Sequence, residues 1–395
     1  MKPFKIAEDI YSVGAVDWNI RDFHGYSTYQ GTTYNAYLII DQKIALIDTV
    51  KEDHADKLIS NISGLIDPKK IDCVISNHTE MDHSGSLARV MQAVGEQKPL
   101  YCSTAGHKNL MLHFSGKWNY HPVESGVELS LGKRTLTFLE TRMLHWPDSM
   151  FTYAKEDKIL FSSDAFGQHY AGPERFDNQI GEDIMPHAKK YFANILLLYA
   201  PLILKLVEKV TEMGLSLEMI CPDHGIVWRR DPSKIINAYV EWSHQRPQKK
   251  ALVIYDTMWH STEEMAETIV EALNEEGVYA RPMHLRRFHR SDIMTEVLDA
   301  GAVIVGSPTL NNGLFPTVSD FLTYMKGLKP KNKVAAAFGS YGWSGEAVTL
   351  ITKELEAMKL QLIDPGPRIQ YVPDEDGTQA CYAFGRKIAQ AMSSN

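Results

Sequence analysis

The 395-residue chain is poor in cysteine: it has four, Cys73, Cys102, Cys221 and Cys381, all far apart. No C-x-x-C pair occurs, which argues against a zinc ribbon, a cysteine-held iron–sulfur cluster and a disulfide framework. Long apolar runs are missing as well. The longest candidate, around 195–206, is interrupted by Tyr199, Pro201 and Lys205, so no membrane span is expected. The opening Met1-Lys2-Pro3-Phe4-Lys5 starts no apolar stretch, and no signal peptide is read there. Positive charge is not in excess: 41 Lys and Arg face 49 Asp and Glu, a net charge of −8, which disfavours nucleic acid as a partner. Neither internal repeats nor low-complexity segments are seen. What remains is the expectation of a soluble, cytoplasmic protein.

The charged share, 23%, is ordinary for a folded chain, and the length suits two or three domains at about 150 residues each. Up to residue 245 or so, short β-branched and aromatic runs at 34–40, 44–48, 72–76, 135–139 and 159–164 predict strands. Helical segments are expected around 84–94 and 189–213. Two sheets with helices outside would suit this mixture. The polar stretch 241–250 reads as a linker. Beyond it the pattern becomes regular alternation: strands at 251–255, 302–306 and 333–338, helices at 262–275, 318–325 and 346–358. That predicts a doubly wound parallel sheet, and domain bounds of 1–248 and 249–395.

The densest chemistry lies in Asn77-His78-Thr79-Glu80-Met81-Asp82-His83-Ser84-Gly85, between a strand and a helix. Four potential metal ligands, His78, Glu80, Asp82 and His83, fall within six residues. The glycine that follows lets the backbone turn tightly. His145, Asp164 and His224 stand at other strand ends. Alone, each histidine would read as an ordinary satisfied polar residue, and Asp164 as a turn or cap residue. Beside the 78–83 cluster they read as further ligands. The set is four imidazoles and three carboxylates. Oxygen donors of this kind suit iron, because anionic ligands stabilise the ferric state, whereas zinc sites favour nitrogen and sulfur.

The pattern H-x-E-x-D-H, followed by H, D and H after gaps of 61, 18 and 59 residues, resembles the flavodiiron proteins. The resemblance spans essentially the whole chain. It implies an α/β multidomain fold: an N-terminal metallo-β-lactamase-like αββα sandwich, then a flavodoxin-like doubly wound parallel sheet. It implies two irons, bridged by Asp164 and by an oxo, hydroxo or water oxygen. Hydrolytic members of the fold have histidine where Glu80 stands and hold zinc. A zinc-dependent hydrolase fused to a flavodoxin-like domain is therefore the alternative reading. In some flavodiiron proteins the histidine at the His83 position is displaced from the metal. His24 matches a family histidine near the diiron pocket. Tyr191 falls where the family often has paired tyrosines, and here the second is Phe192.

Three loops of the second domain point to a flavin. The first, Thr257-Met258-Trp259-His260-Ser261-Thr262, offers hydroxyls and backbone N–H groups at a helix start, where phosphate binds. It is neither a P-loop nor a G-x-G-x-x-G turn, so dinucleotides are disfavoured, and it resembles the flavodoxin phosphate loop. The others are Ser307-Pro308-Thr309-Leu310-Asn311-Asn312-Gly313 and Ser340-Tyr341-Gly342-Trp343-Ser344-Gly345. Both follow parallel strands, where ligands bind in this fold. Glycines allow close approach to a flat ring, and Tyr341 and Trp343 offer stacking faces. FMN is the cofactor expected. The locally basic run 281–290 reads as a solvated face, or as a dock for an acidic electron donor.

Together these features imply an oxidoreductase that reduces O2 to water, NO to N2O, or both, at a non-haem diiron site fed by FMN. The resemblance implies a head-to-tail homodimer, or a dimer of dimers, that brings the FMN of one chain to the diiron site of the other. It also implies a separate electron donor, rubredoxin or a reduced deazaflavin, because the sequence shows neither a rubredoxin module nor an appended reductase domain.

Overall fold

A computed structural model describes residues 2–181 and 183–393. The chain divides into two compact units. The first runs through His24, resumes at Thr28–Phe192 and closes with Tyr199–Val240; the second takes Gly25–Ser27, Ala193–Leu198 and everything from Glu241 onward.

The first unit stacks two sheets. One has seven strands, in the order Phe4–Ala7, Ile10–Ser12, Tyr37–Ile39, Ala45–Ile47, Cys73–Ser76, Pro99–Ser103 and Asn119–Val123. The other has five: Glu128–Ser130, Thr135–Glu140, Met150–Ala154, Ile159–Phe161 and Met219–Cys221. Side chains on a strand alternate between faces, and the sequence uses that period to fill two cores. Ile39, Ile47 and Ile75 point inward to meet Leu136, Phe138, Met150 and Phe161 between the sheets. Their neighbours Leu38, Leu46 and Val74 point outward, where Leu58, Ile62, Leu87, Val90 and Met91 from the helices Ala55–Ser63 and Leu87–Val94 cover them. The result is the αββα sandwich.

The second unit is a parallel sheet in the order Tyr279–His284, Gln248–Tyr255, Ala300–Gly306, Val334–Tyr341 and Gln361–Ile363. Met265, Ile269 and Leu273 from the helix Ser261–Glu275, with Phe384 and Ile388 from Glu375–Ser393, pack on Val253, Ile304 and Ala336. The alternate residues Leu252, Ile254, Val303 and Val305 are equally buried, as a sheet covered on both faces requires.

Some expected elements are placed differently. The 34–40 run is two strands, Thr32–Tyr34 and Tyr37–Ile39. The 241–250 stretch is no linker: the helix Pro232–His244 and the strand Gln248–Tyr255 take all of it but residues 245–247. The basic run hides the strand Tyr279–His284, whose pairing with Gln248–Tyr255 gives the sheet its edge. Nor is the apolar stretch near 195–206 interrupted. Helix runs continuously from Met185 to Glu212, long and apolar enough by length and composition to cross a membrane, with 44% of its most apolar window buried. It passes through a π-turn at Phe192–Leu196 and a 3₁₀ turn at Leu197–Tyr199 before Ala200–Glu212. Pro201 is tolerated because it sits in the first turn of that last segment, where the hydrogen-bond pattern changes from 3₁₀ to α and a regular α-helical run has only just begun.

Candidate metal and flavin sites

The strand Cys73–Ser76 delivers residues 77–80 to the end of the first sheet, and a one-turn helix, Met81–Ser84, follows. This wraps His78, Glu80, Asp82 and His83 around one point. Gly85 has ordinary helical dihedrals; it is needed because a Cβ there would overlap the Met81 carbonyl oxygen. The second sheet supplies the rest: His145 from the loop before Met150–Ala154, Asp164 after Ile159–Phe161, and His224 after Met219–Cys221. Gly225 holds φ +81°, and a Cβ there would run into Gln168.

All seven residues converge, in two groups. The ligand atoms of His78, Glu80, His145 and Asp164 lie within 4.8 Å of one another, as do those of Asp82, His83 and His224. In the first group, Glu80 Oε2 is 3.3 Å from His78 Nε2 and 3.1 Å from His145 Nε2. In the second, Asp82 Oδ2 is 3.2 Å from His83 Nε2 and 3.1 Å from His224 Nε2. Asp164 serves both. Its Oδ2 lies 2.9 Å from His145 Nε2, and its Oδ1 lies 3.0 Å from His83 Nε2 and 3.4 Å from His224 Nε2.

This donor set fits two cations. Burial alone would push imidazoles toward neutrality and carboxylates toward protonation. The facing charges reverse both: His78, His83 and His145 stand above their ordinary value, and Glu80, Asp82 and Asp164 below theirs. Protons thus take the place that cations would fill in a buried nest of acids and imidazoles. Asp82 Oδ1, also buried, has no hydrogen-bond partner among the described residues.

Around the ligands lie groups the sequence did not reveal. His78 Nδ1 is 3.0 Å from Asp148 Oδ2, which also accepts from the Thr79 amide at 2.7 Å. Burial would raise the Asp148 carboxyl, yet these hydrogen bonds hold it below the usual range. His224 Nδ1 donates to the Thr33 carbonyl at 2.6 Å. Such contacts fix each imidazole with Nε2 toward the centre. His169 is a further buried imidazole, its ring 4.8 Å from that of His224 and its Nδ1 2.8 Å from Thr32 Oγ1. Only the fold reveals it, because nothing in its sequence neighbourhood marks it.

His24 is exposed at the rim with its Nε2 3.4 Å from Glu80 Oε1. Tyr191 is buried, its ring 5.9 Å from that of His224. Burial, with the Asp164 charge, raises its hydroxyl well above the ordinary value. Phe192 turns instead into the core, edge-on to Tyr239 at 5.0 Å.

In the second unit, the expected loops enclose a cavity of about 460 Å³. Met258, Trp259 and Ser261 line it from the first loop, Pro308–Asn312 from the second, and Ser340, Tyr341, Gly342 and Trp343 from the third. Ser344, Tyr371 and Val372 also line it; the last two come from beyond the strand Arg368–Gln370, which pairs with Val334–Tyr341. The remaining candidates stand behind the wall. Thr262 Oγ1 meets Ser340 Oγ at 2.8 Å, and Ser307 Oγ bonds the Pro308 carbonyl at 2.8 Å. His260 caps the helix in a left-handed conformation, Gly313 closes a turn with Leu310, and Gly345 backs the Tyr341 ring. Thr257 Oγ1 is buried at the phosphate loop with no hydrogen-bond partner among the described residues.

Trp259 and Trp343, each 85% exposed, stand at this cavity as apolar faces without cover. The shape and chemistry fit a flat ring with polar edges and a phosphate tail. The nearby basic run is largely engaged within the unit: Arg286 pairs with buried Asp256 at 2.7 Å, Arg281 with Glu296 at 3.8 Å, and Arg290 with Asp320.

A sandwich carrying a bridged, two-group site, joined to a flavin-type parallel sheet, defines a two-cofactor redox protein. Residues 32–225 match the ODP family beta lactamase, and residues 253–385 match Flavodoxin. The chain is 47% identical to a nitric oxide reductase of Moorella thermoacetica, with 99% of each chain covered. It is 44% identical to a rubredoxin-oxygen oxidoreductase of Megalodesulfovibrio gigas, covering 100% of this chain and 99% of that one. The crystal structure of the flavodiiron protein from Giardia intestinalis superimposes with a TM-score of 0.95 at 34% identity, covering 100% of this chain and 97% of that chain. The chain belongs to the flavodiiron protein family, which carries a diiron centre and FMN.

Proposed function

We propose that this protein reduces O2 to water, NO to N2O, or both. The observation that carries the reading is Asp164, placing one oxygen in each of two ligand groups. Support also comes from relatives named nitric oxide reductase and rubredoxin-oxygen oxidoreductase. The comparisons do not favour the zinc hydrolase reading.

His78, Glu80 and His145 would hold one iron, Asp82, His83 and His224 the other, with Asp164 between them. The cavity residues, with Thr257 and the helix start at Ser261, would hold FMN. Bound iron supplies open coordination positions and single electrons, and FMN supplies an electron store. The protein's own task is to bring protons to a buried pocket and keep bulk water out. His24, exposed and beside Glu80, is placed to exchange a proton with solvent at Nε2. Tyr191, its ring 5.9 Å from that of His224, offers a buried hydroxyl close to the Asp164 charge. Electrons would come from a separate donor, rubredoxin or a reduced deazaflavin. A head-to-tail homodimer or dimer of dimers, a cytoplasmic location and domains of 1–248 and 249–395 complete the proposal.

The test is iron, zinc and flavin per chain, together with gas consumption by the chemically reduced protein. Two irons, one FMN and rapid loss of O2 or NO are expected. Two zincs with no gas uptake would overturn the reading.

A further inference from the structure

Three buried carboxylates surround the ligands, and two are satisfied. Asp48 accepts from the Asn77 amide at 2.7 Å and from Asn77 Nδ2 at 2.8 Å. Asp148 accepts from Thr79, Asn109 and His78. Asp223 is the exception: fully buried, it has no hydrogen-bond partner for either carboxylate oxygen among the described residues. Its Oδ2 faces His83 Nδ1 at 3.7 Å, and that nitrogen also has no hydrogen-bond partner among the described residues. A buried polar group without a hydrogen-bond partner costs stability, so its presence in a folded chain calls for an explanation. A buried N–H and a buried carboxylate, facing each other slightly beyond bonding distance, supply that explanation.

We infer that Asp223 is a positioning residue for His83: it accepts a hydrogen bond from Nδ1–H, turns Nε2 toward Asp82 and Asp164, and so secures the cation held by Asp82, His83 and His224. The inference rests on the diiron reading. It also says which way His83 turns in this chain: toward the metal. His78 has its counterpart in Asp148 and His224 in the Thr33 carbonyl. Asp223 completes the set for His83, from the residue immediately before a ligand on the opposite sheet.

The experiment compares wild type with Asp223→Asn and Asp148→Asn, as full-length chains stripped of metal and reloaded anaerobically with Fe(II). The readouts are chelator competition, iron-edge anomalous scattering at each position, and the melting temperature of the metal-free form. Asp223→Asn is expected to weaken the Asp82–His83–His224 position by about 10–100-fold while sparing the other. Asp148→Asn should show the reverse preference. Metal-free Asp223→Asn should melt no lower than metal-free wild type, because Asp223 makes no hydrogen bond there to lose. In loaded wild-type crystals His83 Nδ1 should lie within about 3.2 Å of Asp223.

Equal affinity at both positions in Asp223→Asn, a lower metal-free melting temperature, failure to fold, or a His83 ring turned from the metal in wild type would each overturn the inference. Wild type that takes up fewer than two irons would sink the diiron reading itself.

Discussion

Asp164 sets Oδ1 3.0 Å from His83 Nε2 and keeps Oδ2 for His145, 2.9 Å away. One carboxylate thereby spans two clusters that approach from different strand ends. Replacing it by asparagine removes a charge shared by both positions. Asp164→Asn should lose iron from the two positions together, and gas consumption should fall at least about 100-fold. Iron per chain and an oxygen or NO electrode measure this; a variant that keeps two irons and normal turnover would refute the shared role.

Tyr191 and Phe192 are adjacent on one helix yet face different neighbours. Tyr191→Phe should slow turnover by about 100-fold, the lower end of what a general acid contributes, with metal and FMN content unchanged. Phe192→Tyr should bring no gain. Its hydroxyl would enter a fully buried site and cost about 1–3 kcal/mol unless it finds a partner. Steady-state rates and urea denaturation separate the two, and faster turnover in Phe192→Tyr would show the second position to be the functional one.

Trp343 stands 85% exposed at the flavin cavity, so the fold has little invested in it. Trp343→Ala should weaken FMN binding roughly two- to tenfold through loss of aromatic stacking, with the melting temperature of the flavin-free protein unchanged. Titration of the flavin-free protein followed by flavin fluorescence would show it. Unaltered affinity would mean that the ring stacks elsewhere.

Gly225 follows a ligand and holds φ +81° against the Gln168 side chain. Gly225→Ala carries about 1–2 kcal/mol of backbone strain, which lowers Tm by roughly 2–8 °C, and more once Gln168 moves. Iron content should fall with it, because His224 is displaced. Calorimetry with metal analysis tests both, and a normal Tm would remove the argument from conformation.

Much of the candidate metal site was legible because its densest part is local. His78, Glu80, Asp82 and His83 fall on one loop and turn, where spacing along the chain translates directly into spacing in space. His145, Asp164 and His224 were legible only through that cluster. Asp148 and Asp223 were not, because their roles depend on which carboxylate the fold carries across to which imidazole. Tyr371 and Val372 escaped notice for a similar reason: strand pairing, and not sequence neighbourhood, brings them to the flavin cavity. Pro201 misled because a proline near an apolar run reads as a break, whereas here it opens a new helical turn. The basic run concealed an edge strand, Tyr279–His284, because its composition reads as a solvated face; several of its arginines find acids within their own unit.

The candidate ligands are drawn from both layers of the sandwich: His78, Glu80, Asp82 and His83 from one, His145, Asp164 and His224 from the other. A cation held among them is therefore a rivet through the seam between the sheets. Metal uptake stabilises only the form in which the two layers are in register. Amide protons on Cys73–Ser76 and on Ile159–Phe161, which lie on opposite sides of that seam, should then gain protection against exchange together when the site is loaded.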